Sequence, residues 1–201
     1  MKILPILFNT EMVKAILDGR KSCTRRIVKL PQYIQKEENG TYTLFAEGTI
    51  YENQCFDQVI PYFKKPYQVG DILYVRETWL LADGCAGEGY YYRADETGTS
   101  KELRIAYGYK WHPSIHMPKE AARIWLMVND VRVERLQDIT EEDAIKEGFP
   151  DLGMDVDSSL ERFSTLWDRT IKREDIGVTD WESNPWVLVY EFQRCEKPMD
   201  K

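Results

Sequence analysis

The chain has 201 residues, with 34 acidic against 27 basic side chains for a formal net charge of −7, and 43% of its residues are hydrophobic. That length suffices for one domain whose core needs no disulfide or metal. The acidic balance excludes indiscriminate wrapping of nucleic acid but leaves room for a local basic pocket, and no apolar run reaches the roughly 18 residues of a membrane span.

The opening "MKILPILF" reads as a strand. Pro5 interrupts its apolar run and no small-residue cleavage site follows, so it reads more as a first strand than as a signal peptide, and a cytoplasmic protein is expected. "NTEMVKAILDG" reads as a helix: Asn9 or Thr10 caps it, Val13, Ile16 and Leu17 form the apolar stripe, and Gly19 ends it. "TRRIVKL" is extended and stops at Pro31. Residues 35–68 are polar and loop-like, with a weak strand in "TYTLFAEG" and a proline-flanked "PYFKKPYQ". "VGDILYVRETWLL" is the clearest strand, a Gly-Asp turn followed by β-branched and aromatic residues. "GYYYRAD" is another strand, reached through the loop "GCAGEG". "AARIWLMVNDVRVERL" is a long strand bent near Asn129-Asp130. "TEEDAIKEG" is a helix capped by Thr140, with Glu141 and Glu142 in its first turn and Gly148 as its stop. "SSLERFSTLWDRTI" is a second amphipathic helix with Leu160, Phe163, Leu166 and Trp167 on its apolar face, and "NPWVLVYEFQRC" is a terminal strand.

Strands are not regularly separated by helices, which disfavours a βαβ parallel sheet. The expected class is α+β, mainly β: a small, mostly antiparallel β-barrel with flanking helices. One domain over 1–201 is expected, with insertions near 31–65 and 80–108 and an added helix near 158–171.

Cys23, Cys55, Cys85 and Cys195 are scattered, with no C-x-x-C, so reduced thiols are expected rather than a zinc or redox motif. His112 and His116 have the spacing of a helical metal pair, but Pro113 and Pro118 oppose a helix there. No metal and no cofactor are expected.

Positive charge is concentrated in "DGRKSCTRRIVK", which holds Arg20, Lys21, Arg25, Arg26 and Lys29. In a strand through "ILYVRETW", alternation puts Leu73, Val75, Glu77 and Trp79 on one face. If that face is interior, Glu77 needs a compensating cation, and Lys21 or Arg25 is the expected partner; the alternative is a solvated face. A threonine hydroxyl becomes a nucleophile only beside a base, and a lysine whose pKa is lowered by burial or neighbouring cations is such a base. Lys21 and Thr24 converge only if the chain turns just after Gly19. "WHPSIHMPK" offers Trp111, Ser114, His116 and Met117 as a stacking and hydrogen-bonding surface for a base, or as a loop packed at the barrel mouth. Most of the six tryptophans are expected in the core.

"GRKSCTRR" together with "VGDILYVRETW" resembles the ASCH superfamily, whose signature at the first helix exit is Gly-x-Lys-x-x-Glu-x-Arg; Gly19, Lys21 and Arg26 match it, and Thr24 stands where many members have glutamate. One branch also carries threonine there: small bacterial amidohydrolases that remove the acyl group from N4-acetylcytidine. Carried over by position, the resemblance implies Thr24 as nucleophile, Lys21 as its base and Glu77 as the group that orients or shares the proton. "WHPSIHMPKEAARIWLMVNDVRVERLQDITEEDAIKEG" with "NPWVLVYEF" is similar to the larger ASCH-like proteins of phages and prophages. The resemblance implies a PUA-like barrel and a nucleoside or RNA ligand, with Arg25, Arg26, Trp79, Trp111, Ser114 and His116 around the substrate. The expected function is therefore a nucleoside-, nucleotide- or RNA-base-binding protein, with amide hydrolysis at Lys21, Thr24 and Glu77. The competing expectation is a non-catalytic RNA-binding or regulatory module, or an RNase.

Overall fold

The computed structural model describes residues 1–28, 33–46, 49–54, 65–82, 89–150, 152–153 and 157–198. Strand β1 (Ile3–Leu7) leads into helix α1 (Thr10–Leu17), then β2 (Cys23–Ile27). Three strands follow, β3 (Tyr33–Lys36), β4 (Tyr42–Ala46) and β5 (Thr49–Gln54), and pair with one another as a separate antiparallel sheet. Next come β6 (Ile72–Arg76) and the hairpin strands β7 (Trp79–Ala82) and β8 (Gly89–Tyr92), then α2 (Gly98–Ala106). The long strand β9 (Trp125–Arg135), helices α3 (Glu141–Lys146) and α4 (Ser159–Thr170), and β10 (Trp186–Cys195) complete the order. Cys55, Cys85, Lys29, Pro31 and the loop segment 83–88 lie outside the described residues.

The central sheet runs β1-β6-β9-β10-β2, and it is mixed: β1 and β6 are parallel, and the other pairs are antiparallel. The expected α+β class is the one observed. The backbone pairing is open among the described residues, and barrel closure is not part of it. Arg26, on the β2 edge, nevertheless donates from Nη2 to the Leu7 carbonyl at the end of the β1 edge, at 3.2 Å.

Local chemistry accounts for the elements. Asn9 caps α1, its Oδ1 accepting from the Met12 amide at 2.9 Å. Gly19 takes φ +76° where α1 exits. The expected bend at Asn129-Asp130 is a β-bulge: Glu191 pairs with Asp130 and Phe192 with Val128, so Asn129 has no opposite residue. The expected single strand 72–81 is instead two, since pairing stops after Arg76 and resumes at Trp79 with a different sheet. Sequence alternation continues smoothly there, so it carries no sign of the change in partner.

Three apolar clusters pack among the described residues, and two of them bear on β2. One packs Ile6, Phe8, Val13, Leu73, Val75, Leu126, Leu188 and Tyr190 beneath α1. The other packs Cys23, Leu136, Val187 and Val189 against Phe163 and Trp167 of α4. Alternation along β2 aims Thr24 and Arg26 at the first core, opposite Tyr190 and Leu188, and Cys23 and Arg25 at the second. No helix among the described residues is long and apolar enough to cross a membrane.

Candidate functional site

The cation cluster meets the end of a helix. Helix α3 leaves its last carbonyls without intrahelical partners, and the chain after Gly19 supplies donors for three in succession. The Ser22 amide reaches Lys146 O at 2.8 Å. Lys21 Nζ reaches Glu147 O at 2.9 Å, and Arg20 Nη1 reaches Gly148 O at 3.0 Å. Cations are favourable at this end of the helix dipole. Gly148 permits the approach: it has φ +105°, and a Cβ there would fall 2.9 Å from the Ala15 Cβ.

Lys21 is buried and its ammonium donates to three acceptors: Glu147 O, Cys23 O at 2.8 Å and Glu147 Oε2 at 2.6 Å. Burial lowers its pKa, with the Glu147 carboxylate opposing that shift. Arg25 is equally buried and gathers three carboxylates: Glu134 at 2.6 Å, Asp143 at 3.0 Å and Glu147 at 3.4 Å. Burial works against its charge, and Glu147 and Glu134 outweigh that, so its pKa is raised. Cys23, inside this network, has its thiol pushed up to about 12, chiefly by burial and then by Glu147. Thr24 is wholly buried, and its Oγ1 accepts from Arg26 Nη1 at 2.7 Å. No direct hydrogen bond joins Lys21 Nζ to Thr24 Oγ1 among the described residues.

Glu77 is buried and has a cation, but not the expected one. Arg123, rather than Lys21 or Arg25, binds it through Nε at 2.9 Å and Nη2 at 3.1 Å. The register explains this: β6 pairs with β9, and Val75 N reaches Ile124 O at 3.0 Å, so the residue before Ile124 lands beside Glu77. Arg123 also binds Asp95 and covers the Tyr92 ring at 4.0 Å. Burial raises the Glu77 pKa, with the Arg123 hydrogen bonds opposing.

Beyond Arg123 opens a cavity of about 280 Å³ between the β7–β8 hairpin and α2. Tyr90, Tyr91, Tyr92, Tyr109 and Trp111 supply its aromatic surface, and Leu80 and Ala82 its apolar floor. Its charges are paired internally, Arg104 with Glu96 at 2.7 Å and Arg123 with Asp95. The indole Nε1 of Trp111 is buried and has no hydrogen-bond partner among the described residues. A buried donor without an acceptor costs about 1–3 kcal/mol.

The anticipated ligand residues thus separate. Trp111 lines the cavity, and Trp79 stands behind it, its ring centroid 5.7 Å from that of Tyr90 and 5.0 Å from that of His112. Ser114 and His116 share a single 3₁₀ turn, His116 exposed, and neither is among the described lining residues. Arg25 is consumed by carboxylates, and Arg26 faces Thr24 and Phe8. The tyrosines of "GYYYRAD", together with Arg104, Tyr109 and Arg123, were missed. The triple tyrosine was the available signal, since consecutive aromatics cannot all face one core from a strand. No group of three or more potential metal ligands is found among the described residues.

No family model and no curated protein matches the chain. Two solved structures are similar to it. One is an ASCH domain from Lactobacillus crispatus JV V101, at 11% identity and TM-score 0.43, covering 96% of this chain and 79% of that one. The other is a protein of Enterococcus faecalis V583 assigned to DUF984, at 8% identity and TM-score 0.43, covering 97% and 76%.

Proposed function

We propose that the protein binds a nucleobase, free as a nucleoside or carried on RNA, in the cavity between the β7–β8 hairpin and α2. The observation that carries this reading is an aromatic cavity of about 280 Å³ lined by Tyr90, Tyr91, Tyr92, Tyr109 and Trp111. A planar ring would stack on that surface. The resemblance of "GRKSCTRR" to the ASCH superfamily implies the same ligand class, although Gly19, Lys21 and Arg26 do not line this cavity. Titration of cytidine, uridine and adenosine by calorimetry tests it. Trp111→Ala removes one stacking face and should weaken binding about tenfold or more. Absence of binding by all three nucleosides, and by a short single-stranded RNA, would overturn the reading.

A second reading adds hydrolysis of an acyl group on such a base by Lys21, Thr24 and Glu77. It is favoured by the burial-lowered Lys21 pKa. It requires the Lys21 ammonium to release a proton, with the Glu147 carboxylate as the adjacent acceptor, and to leave its bonds to Glu147 and Cys23 before the neutral amine can take a proton from Thr24, and so ranks second. Release of cytidine from N4-acetylcytidine, lost in Thr24→Ala, is its test; no release by the wild type would leave binding alone.

A further inference from the structure

Two adjacent arginines on β2 have opposite surroundings. Arg25 meets three carboxylates. Arg26 meets none within 4.0 Å among the described residues. Among the described residues its acceptors are all neutral: Thr24 Oγ1 at 2.7 Å, Arg25 O at 3.0 Å and Leu7 O at 3.2 Å. Those bonds use both Nη1 donors and one of the Nη2 pair. A guanidinium has five, so among the described residues donors remain on Nε and Nη2, its adjacent nitrogens. Burial lowers the pKa of Arg26, as befits a cation lacking a close counter-charge, while that of Arg25 is raised.

Arg26 lines a cleft of about 320 Å³ where α1, β2 and α4 meet. Its walls are mainly apolar, from Met12 of α1, Ile27 of β2, Phe149, and Phe163, Leu166 and Trp167 of α4, and Arg25, Asn9 and Thr170 also border it. Glu147 also borders the cleft, but its two carboxylate oxygens are held by Lys21 and Arg25. This cleft is separate from the aromatic cavity, with which it shares no described lining residue.

We propose that this cleft is a second ligand site, for a small monocarboxylate with an apolar body, whose carboxylate is gripped by Arg26 and whose body lies between α1 and α4. Planar carboxylate matches the donors of adjacent guanidinium nitrogens. A single negative charge suits the place better than a phosphate dianion, because the Glu147 carboxylate borders the same space.

The test uses 4-phenylbutyrate and its neutral isostere 4-phenylbutyramide, titrated into ¹⁵N-labelled protein. The expected result is saturable movement of the Trp167 indole and Ile27 amide signals, with the amide binding at least about tenfold more weakly, the worth of a charge-assisted hydrogen bond. Arg26→Gln should abolish the preference for acid over amide. Should that variant misfold, Leu166→Trp, which fills the cleft from the α4 side, should block the acid. Equal affinity for acid and amide, the absence of saturable shifts at the cleft, or unaltered binding by Leu166→Trp would each overturn the proposal.

Discussion

The Lys21–Arg25 network and the Trp111 cavity differ in one respect that decides their roles. In the network every charged donor of Lys21 and Arg25 has an acceptor, and both side chains are buried. In the cavity the charges are paired with one another, and the rest of the lining is mainly tyrosine and tryptophan. Concentrated charge in a sequence therefore marks, in this chain, a place where a helix end must be closed. The proposed binding surface is built from tyrosines and a tryptophan, which carry no charge to advertise it.

The sharpest way to break this contrast is Lys21→Met. Removing one member of a buried ion pair leaves the Glu147 carboxylate only its 3.4 Å contact with Arg25, and three acceptors lose their donor together. The expected loss is about 3–5 kcal/mol in denaturant unfolding, with nucleoside affinity of the folded fraction unchanged. A loss below about 1 kcal/mol would show that the network is not structural.

Gly148→Ala should cost less, about 1–3 kcal/mol. It forces a side chain into the left-handed region at φ +105° and to 2.9 Å from the Ala15 Cβ. Urea titration of the variant checks this, and unaltered stability would mean the α3 end adjusts freely to the cation cluster.

A smaller effect should appear with pH. Glu77 has a folded pKa raised above 4.5. In the window just above that value the folded chain therefore holds a proton that the unfolded chain has released. Stability contributed by Glu77 is thus present at low pH and lost as pH rises through the window. Comparing unfolding free energy from pH 4 to 7, Glu77→Gln should lack this falling component; a steeper fall in the variant would mean Arg123 dominates. The smallest effect concerns Cys23, whose thiol is pushed up to about 12. In the native protein at pH 8 it should resist alkylation, while urea exposes it; rapid native labelling of Cys23 would contradict the closed network.

Much of the fold was legible in the sequence because it rests on local rules. Asn9 and Thr140 capped where capping chemistry placed them, and the bend at Asn129 emerged as a bulge. Register was not legible. The need of Glu77 for a cation followed from alternation, but its choice of Arg123 depends on how β6 lies against β9. For the same reason the Lys21 partner, Glu147, was hidden: it sits 126 positions along the chain, and nothing local to either residue encodes the meeting. Helix α2 and most of the tyrosine cavity lie in the stretch near 80–108 expected as an insertion, where polar and aromatic residues alternate without a clear helical period.

The most direct measurement is the ¹H–¹⁵N spectrum of the protein titrated with cytidine. The account predicts that the Trp111 indole N–H moves and saturates, while the backbone amides of Lys21, Thr24 and Arg25 stay in place. Saturable shifts at Lys21 and Thr24 with the Trp111 indole unmoved would contradict it.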